Sequence, residues 1–264
     1  MEHRIAGTDE WLQARMALLQ REKEYTRLRD ELSAQRRALP WIKVEKDYTF
    51  DAVEGSVSLS SLFDGRSQLI IKHYMMAPGQ TTPCAGCAFA CDHVEGALVH
   101  LHNHDVSYAA VARAPIEEVE AFRQRMGWRF RFVSSYHSDF NYDFNVSFAP
   151  EDAYEGAIYY NYANRQIPIE DLSGHSVFYR NEDGEIFHTY SAYGRGAEEL
   201  LTTYAYLDLT PKGRDENGPY HRLADWVRPH DMYGKGGSVE ENGRYHPADE
   251  RAQGHSPVGL RNHP

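Results

Sequence analysis

Three short β-prone runs, "LIIKHYM" (69–75), "VSYAAVA" (106–112) and "WRFRFVSS" (128–135), recur along this chain with helical sequence between them. The first two are apolar nearly throughout, as befits strands covered on both faces. Residues 84 to 103 hold no breaker except Gly86 and Gly96 and predict a helix. "PIEEVEAFRQRMG" (115–127) predicts another: proline opens it, acids fill its first turn and Gly127 closes it. Strand, helix, strand, helix, strand calls for parallel pairing, right-handed crossovers and helices on both sheet faces. Downstream, "SVFYRNEDGEIFHTYS" (176–191) predicts a β-hairpin turning at Asp183-Gly184, and "GAEELLTTYAYL" (196–207) a closing helix. The expected class is α/β, with a central mixed sheet flanked by helices.

The flanks differ from this middle. Residues 8 to 38 predict one long helix, with Thr8 and Asp9 as capping oxygens and an imperfect apolar stripe of Leu12, Met16, Leu19, Leu28 and Leu32; Pro40 helps close it. Its charged face marks it as an arm lying on the body or on a second subunit. "WIKVEKDYTF" then alternates, and "SVSLSSLFDGRSQ" gives a short strand, a helical turn and an Asp64-Gly65 turn. Residues 234 to 264 are rich in Gly, Pro, His and charge and read as a flexible tail. The expected organisation is an arm over 1–39, a domain over 40–233 and a tail over 234–264.

Charge and composition narrow the function. With 39 Asp and Glu against 28 Lys and Arg, the net charge is −11, so the basic footprint of a nucleic-acid binder is missing. The start, "MEHRIAGTDEWLQARM", lacks the apolar stretch of a secretory signal, and no apolar run approaches the roughly 18 residues of a membrane helix. Three cysteines do not make a secreted disulfide framework. No nucleic-acid or membrane partner and a cytoplasmic location are expected.

Those cysteines carry the chemistry. "PCAGC" puts Cys84 and Cys87 three apart at a helix start, directly after a buried strand. The first sits beside unpaired N–H groups at the positive helix end, which favour a thiolate. The second, one turn on, can close a disulfide with it. In this reading Cys84 attacks and Cys87 resolves the mixed disulfide, while Pro83 pins the approach. Cys91, two turns deep, packs the core. Three readings compete. Cys84, Cys87 and Cys91 with His93 could hold zinc or a cluster, but the second distant pair usual for zinc is missing. All three could be small buried hydrophobes. Pro78, Thr82 and Cys84 nearly match the peroxidase pattern P-x-x-x-T/S-x-x-C, one residue short.

Two further constellations stand out. His100 and His104 share the i, i+4 spacing of helical metal ligands, with His93 and His102 nearby, yet no H-E-x-x-H glutamate lies between them; a solvated helix end is the simpler reading. "SDFNYDFNVSF" places Phe140, Tyr142, Phe144, Val146 and Phe148 on alternate positions, which predicts an extended segment with one aromatic face. With "YYNY" (159–162) it forms an aromatic-rich insertion, serving core packing or walling the cysteine site.

The segments "LPWIKVEKDYTF", "SLSSLFDGRSQLIIKHYMMAPG", the C-x-x-C, "ARAPIEEVEAFRQRMGW", "SSYHSDFNYDFNVSF", "SVFYRNEDGEIFHTYSAYGRG" and "YLDLTPKGRDE" occur in one order. From about residue 40 to 232 the chain so resembles an uncharacterised bacterial family of thioredoxin-like proteins, of unknown function, usually described as predicted dithiol–disulfide oxidoreductases. The resemblance implies a thioredoxin-like fold and thiol–disulfide exchange. Ala85-Gly86 replaces the Gly-Pro of thioredoxins between the cysteines. In "SGHSVF", His175 or Ser176 stands where thioredoxins carry a cis-proline, and a trans bond is expected because non-proline cis bonds cost about 2.5–4 kcal/mol. The loop at Gly174, His175 and Ser176 is then expected to face the cysteines, with protonated His175 favouring the Cys84 thiolate or, alternatively, standing as a solvent-exposed loop histidine. The expected partner is a disulfide-bearing protein or small-thiol substrate, with homo-oligomerisation through the N-terminal helix. No cofactor and no metal are called for. A thiol peroxidase, or a non-catalytic binding or assembly module, is the alternative.

Overall fold

A computed structural model describes residues 3–240 and 242–248. The chain divides into two units, Met1–Ile42 and Lys43–Pro264. The first is dominated by helix α1 (Thr8–Arg37), in which no residue is buried.

The second unit is built on one sheet. The strands of the sheet are β1 (Ile42–Lys43), at the boundary of the two units, β2 (Thr49–Ala52), β3 (Gly55–Ser58), β4 (Gln68–His73), β5 (Val106–Ala112), β6 (Arg131–Ser134), and, after an insertion, β9 (Gly174–Arg180) and β10 (Ile186–Tyr193). Helices α2 (Ala85–Glu95) and α3 (Leu98–Asn103) connect β4 to β5, and α4 (Ile116–Arg125) connects β5 to β6. The insertion carries α5 (Phe140–Asp143), α6 (Pro150–Glu155) and the hairpin β7 (Ile158–Tyr160) and β8 (Ala163–Arg165). Helix α7 (Thr202–Leu207) and a small hairpin, β11 (Ser238–Val239) and β12 (Tyr245–His246), follow.

The sheet order is β1-β10-β9-β4-β5-β6-β2-β3. Strands β4, β5 and β6 run parallel, as the two helical crossovers require, and β9 lies antiparallel on the other side of β4 with β10 beyond it. A parallel β–α–β unit extended by an antiparallel hairpin beside its first strand is the thioredoxin-like arrangement, and this fold is thioredoxin-like.

Strand alternation divides the core. On one face Tyr108, Ala110 and Ala112 pack with the three cysteines, Phe122, Trp128 and Phe132. On the other, Ala109 and Val111 pack with Leu69, Ile71, Phe63 and Phe178.

The structure corrects several expectations. The helix expected over 84–103 is two helices, broken at Gly96-Ala97, where Ala97 N–H bonds to Val94 O in a turn. The aromatic segment is not extended: residues 140–143 form a helical turn. Phe140 and Phe144 lie i, i+4, so one helical face brings their rings within 4.6 Å. The closing helix of 196–207 is a 3-10 turn followed by α7. Part of the expected tail is built into the fold. Val239 and Tyr245 are buried against Ala85 and Phe89 of α2, because two apolar side chains on a small hairpin suffice to anchor it there. Residues 249–264 of that tail lie outside the described residues.

Candidate active site

Cys84 caps α2. Its extended backbone (φ −53°, ψ 117°) turns the chain into the helix, and the Cys87 N–H donates to its Sγ at 3.3 Å. Ala88 N–H closes the first turn on Cys84 O at 3.0 Å, and Tyr74 Oη–H reaches the same carbonyl at 3.4 Å. Pro83 and Thr82, both buried, bring the chain down from the Ala77-Gln80 turn onto this end. The turn is tied to α4 where Gly79 N–H donates to Glu118 Oε2 at 2.9 Å. Cys84, Cys87 and Cys91 are all buried and joined by no disulfide.

Beneath the pair lies a cation. Lys72 is only 3% exposed, although it sits inside the apolar run of β4. Alternation puts it on the same face as Ile70 and the cysteines, and its Nζ donates to Ser173 Oγ at 3.1 Å. Burial alone would push the Cys87 thiol up. The hydrogen bond from Cys84, the Lys72 charge, the Met75 backbone and the Ser173 hydroxyl outweigh burial and hold Cys87 at about 6. Cys84, donating its proton to Cys87 and then penalised by burial, is held well above its ordinary value. The pair thus shares one proton and carries one negative charge near neutrality. Cys91, deeper and beside Tyr108, is raised by burial and stays a thiol.

The expected neighbours separate. His175 lies in strand β9 rather than a loop, directly opposite Lys72 in the register, and is buried. Burial, and then Lys72, hold its imidazole well below the usual range. It is therefore neutral, and the positive charge expected of it belongs to Lys72. Ser176 is one residue on and faces the other side of the sheet. There it bonds to His73 Nε2 at 2.8 Å and to Ser191 Oγ at 2.7 Å, away from the cysteines. All described peptide bonds are trans, including that between His175 and Ser176.

The histidines of α2 and α3 do not converge. His93 links α2 to α7, with Nδ1–H on Phe89 O at 2.5 Å and Nε2 accepting from Thr203 N–H at 3.0 Å. His100, His102 and His104 are exposed. Among the described residues, no group of three or more His, Cys, Asp or Glu side chains is placed to hold a metal ion.

Access comes from one side. A cleft of about 260 Å³ opens on Cys84 but not on Cys87; Met75, Gly79, Tyr154, Asp171 and Arg244 are among its walls. The aromatic insertion contributes through its second half: Tyr154 and Asp171 wall the cleft, whereas Phe140 and Phe144 pack on His73 across the sheet. Arg113 fixes the acidic wall, bonding Asp171 at 2.8 and 3.0 Å and Glu170 at 3.1 Å. The far wall is the β11–β12 hairpin. Ala85 N–H donates to Gly243 O at 2.9 Å, Cys84 bridges Arg244 backbone to backbone, and a Cβ on Gly243 would lie 3.2 Å from Cys84 Sγ. Only glycine, at φ +89°, fits so close to the sulfur. Lys72, Ser173, Gly243 and Arg244 were not singled out in the sequence. A lone lysine inside "LIIKHYM" was the one visible signal.

Among solved structures the chain is similar to peroxiredoxin Q of Xanthomonas campestris, at 14% identity and TM-score 0.42 over 62% of this chain and 90% of that one. It is also similar to peroxidoxin BcpB of Mycobacterium tuberculosis, at 14% and 0.42 over 62% and 95%. A putative protein disulfide isomerase of Bacteroides thetaiotaomicron gives 17% and 0.36 over 62% and 90%. No curated protein matches the chain. No helix among the described residues is long and apolar enough to cross a membrane. The family model of a bacterial protein of unknown function (DUF899) matches residues 1–233, and the chain belongs to that family.

Proposed function

We propose that this protein is a thiol–disulfide oxidoreductase acting on small disulfides, with Cys84 as the attacking sulfur and Cys87 as the resolving one. The observation that carries the reading is the buried, unbridged Cys84–Cys87 pair on the sheet face of the buried Lys72, with Cys84 and not Cys87 on the cleft. Charge favours a thiolate on Cys87 and access favours attack by Cys84. A proton passed from Cys84 to Cys87 reconciles the two.

The exchange balances as follows. Cys87 takes the Cys84 proton, and the Cys84 thiolate attacks one sulfur of the substrate disulfide, expelling the other as a thiolate. That leaving thiolate takes the proton from Cys87. Cys87, again a thiolate, attacks Cys84 Sγ, closes the internal disulfide and expels the second substrate thiolate. The dithiol loses two electrons and the substrate gains them. A reduced dithiol of more negative potential than the substrate resets the enzyme: its thiolate attacks the Cys84–Cys87 disulfide, its second sulfur releases Cys84, and the dithiol leaves as its own disulfide.

Small substrates are favoured because the backbone at Cys84 is already engaged by Gly243 and Arg244. An extended protein segment would have to displace the hairpin, whereas a small disulfide can enter the cleft. The test is turnover of oxidised glutathione, of a protein disulfide and of hydrogen peroxide by the same sample. Preferential turnover of the small disulfide supports the reading. Faster peroxide turnover would replace it with a thiol peroxidase, and no turnover of any would leave a binding module.

A further inference from the structure

Helix α1 spans 30 residues, about 45 Å at 1.5 Å per residue, without a single buried side chain. Trp11, Leu18, Tyr25 and Leu32 recur at intervals of seven and are 60%, 54%, 58% and 40% exposed. A helix of 3.6 residues per turn keeps a seven-residue stripe on one line only by supercoiling around a partner helix. Taking those four as the a positions places Ala14, Arg21, Leu28 and Gln35 at d. Leu28, 53% exposed, extends the seam. Arg21 turns its head to Glu24, at 2.6 Å.

The charges that flank this seam choose the partner. In this register the g positions read Glu10, Ala17, Glu24 and Glu31, and the e positions read Arg15, Glu22, Arg29 and Arg36. Two parallel copies bring each g beside the e five residues further along the other chain. Those pairs are Glu10 with Arg15, Ala17 with Glu22, Glu24 with Arg29, and Glu31 with Arg36. Three are attractive and none is repulsive. Antiparallel copies would oppose g to g and e to e, setting glutamate against glutamate along g, where no basic residue stands. Within one helix Arg15 already reaches Glu22 along the e edge, and Arg21 at d reaches Glu24 at g.

We propose that α1 is the dimerisation element of this protein, pairing in parallel and in register with α1 of a second copy of the same chain. Arg21 and Gln35 at d weaken the seam, so the dimer forms reversibly with concentration. This inference is independent of the thiol chemistry.

Sedimentation of the full-length chain from low micromolar to millimolar concentration should show a monomer–dimer equilibrium. Glu24→Arg with Glu31→Arg should weaken it about 100-fold, and so should Arg29→Glu with Arg36→Glu. Mixing the two double variants should restore dimers, because each g then meets its opposite at e; restoration also shows that both variants fold. A Gly7→Cys variant should oxidise to an interchain bridge as the dimer forms, which only parallel copies permit; the wild-type chain is the control. A wild-type monomer at every concentration would overturn the proposal. So would a dimer indifferent to both charge reversals, a mixture that stays monomeric, or a Gly7→Cys dimer that does not bridge.

Discussion

Replacing Lys72 by methionine removes one charge from beneath the cysteine pair while keeping the length and burial of the side chain. Lys72 makes no carboxylate ion pair among the described residues; its hydrogen-bond partner is Ser173. The anion it serves is therefore the thiolate of the pair. A nearby opposite charge shifts a titrating group by about one to three pH units, and the middle of that range is about 2.7 kcal/mol. That corresponds to about two pH units. Loss of the charge should move the Cys87 midpoint from about 6 towards 8. At neutral pH most of the pair would then be doubly protonated, and exchange with a small disulfide should slow by about tenfold. The assay is thiolate absorbance against pH, with alkylation of Cys84 followed in parallel. Ser173→Ala, which keeps the charge and removes only the hydroxyl, should raise the midpoint by less. If Lys72→Met does not fold, Lys72→Gln provides the same readout. An unchanged midpoint in a folded variant would refute the electrostatic argument and leave the Cys84 hydrogen bond and the helix end as the activators.

Three more outcomes are expected. Cys87→Ser should trap mixed disulfides at Cys84 that non-reducing gels reveal, whereas Cys84→Ser should abolish exchange; equal trapping by both would reverse the roles. Tyr245 is 1% exposed, so Tyr245→Ala should cost about 3–5 kcal/mol of hairpin packing, speed alkylation of Cys84 and admit protein disulfides; unchanged alkylation would show that the hairpin does not limit access. His73 is lowered to about 3 by burial and then by Lys72, so it binds no proton while its unfolded counterpart, at about 6.5, does. Its contribution is complete above pH 6.5 and is lost by about 1.4 kcal/mol per pH unit as pH falls from there towards 3. His175, lowered in the same direction, adds to the slope, and urea midpoints in His73→Gln should flatten with pH.

The central strands were legible because they are short β-prone runs, two of them apolar nearly throughout, separated by helical sequence. The long helix of 8–38 was equally plain, and the structure ends it at Arg37. The aromatic segment misled because its residues fit a period of two and also an i, i+4 pair, and contact with His73 and Phe178 decided for the helix. The cysteine pair could be found from spacing, and its place at the start of α2 follows from the strand before it. Its electrostatics could not. Whether Lys72 or His175 supplies the charge depends on which face each strand residue takes and how deeply it is buried, and that is fixed only when β4 pairs with β9. The β11–β12 hairpin escaped for a related reason. Its glycines and charges resemble a tail, and the two residues that anchor it, Val239 and Tyr245, gain meaning only against Ala85 and Phe89.

The central claim is that Cys84 and Cys87 form a reversible dithiol while Cys91 stands apart. Equilibrating the protein with glutathione buffers of graded potential, quenching the thiols and mapping them by mass spectrometry tests it directly. The account predicts a single two-electron transition, with the Cys84–Cys87 bridge appearing as the buffer becomes oxidising and Cys91 remaining a thiol throughout. A Cys87–Cys91 bridge, or a pair that stays reduced in every buffer, would contradict it.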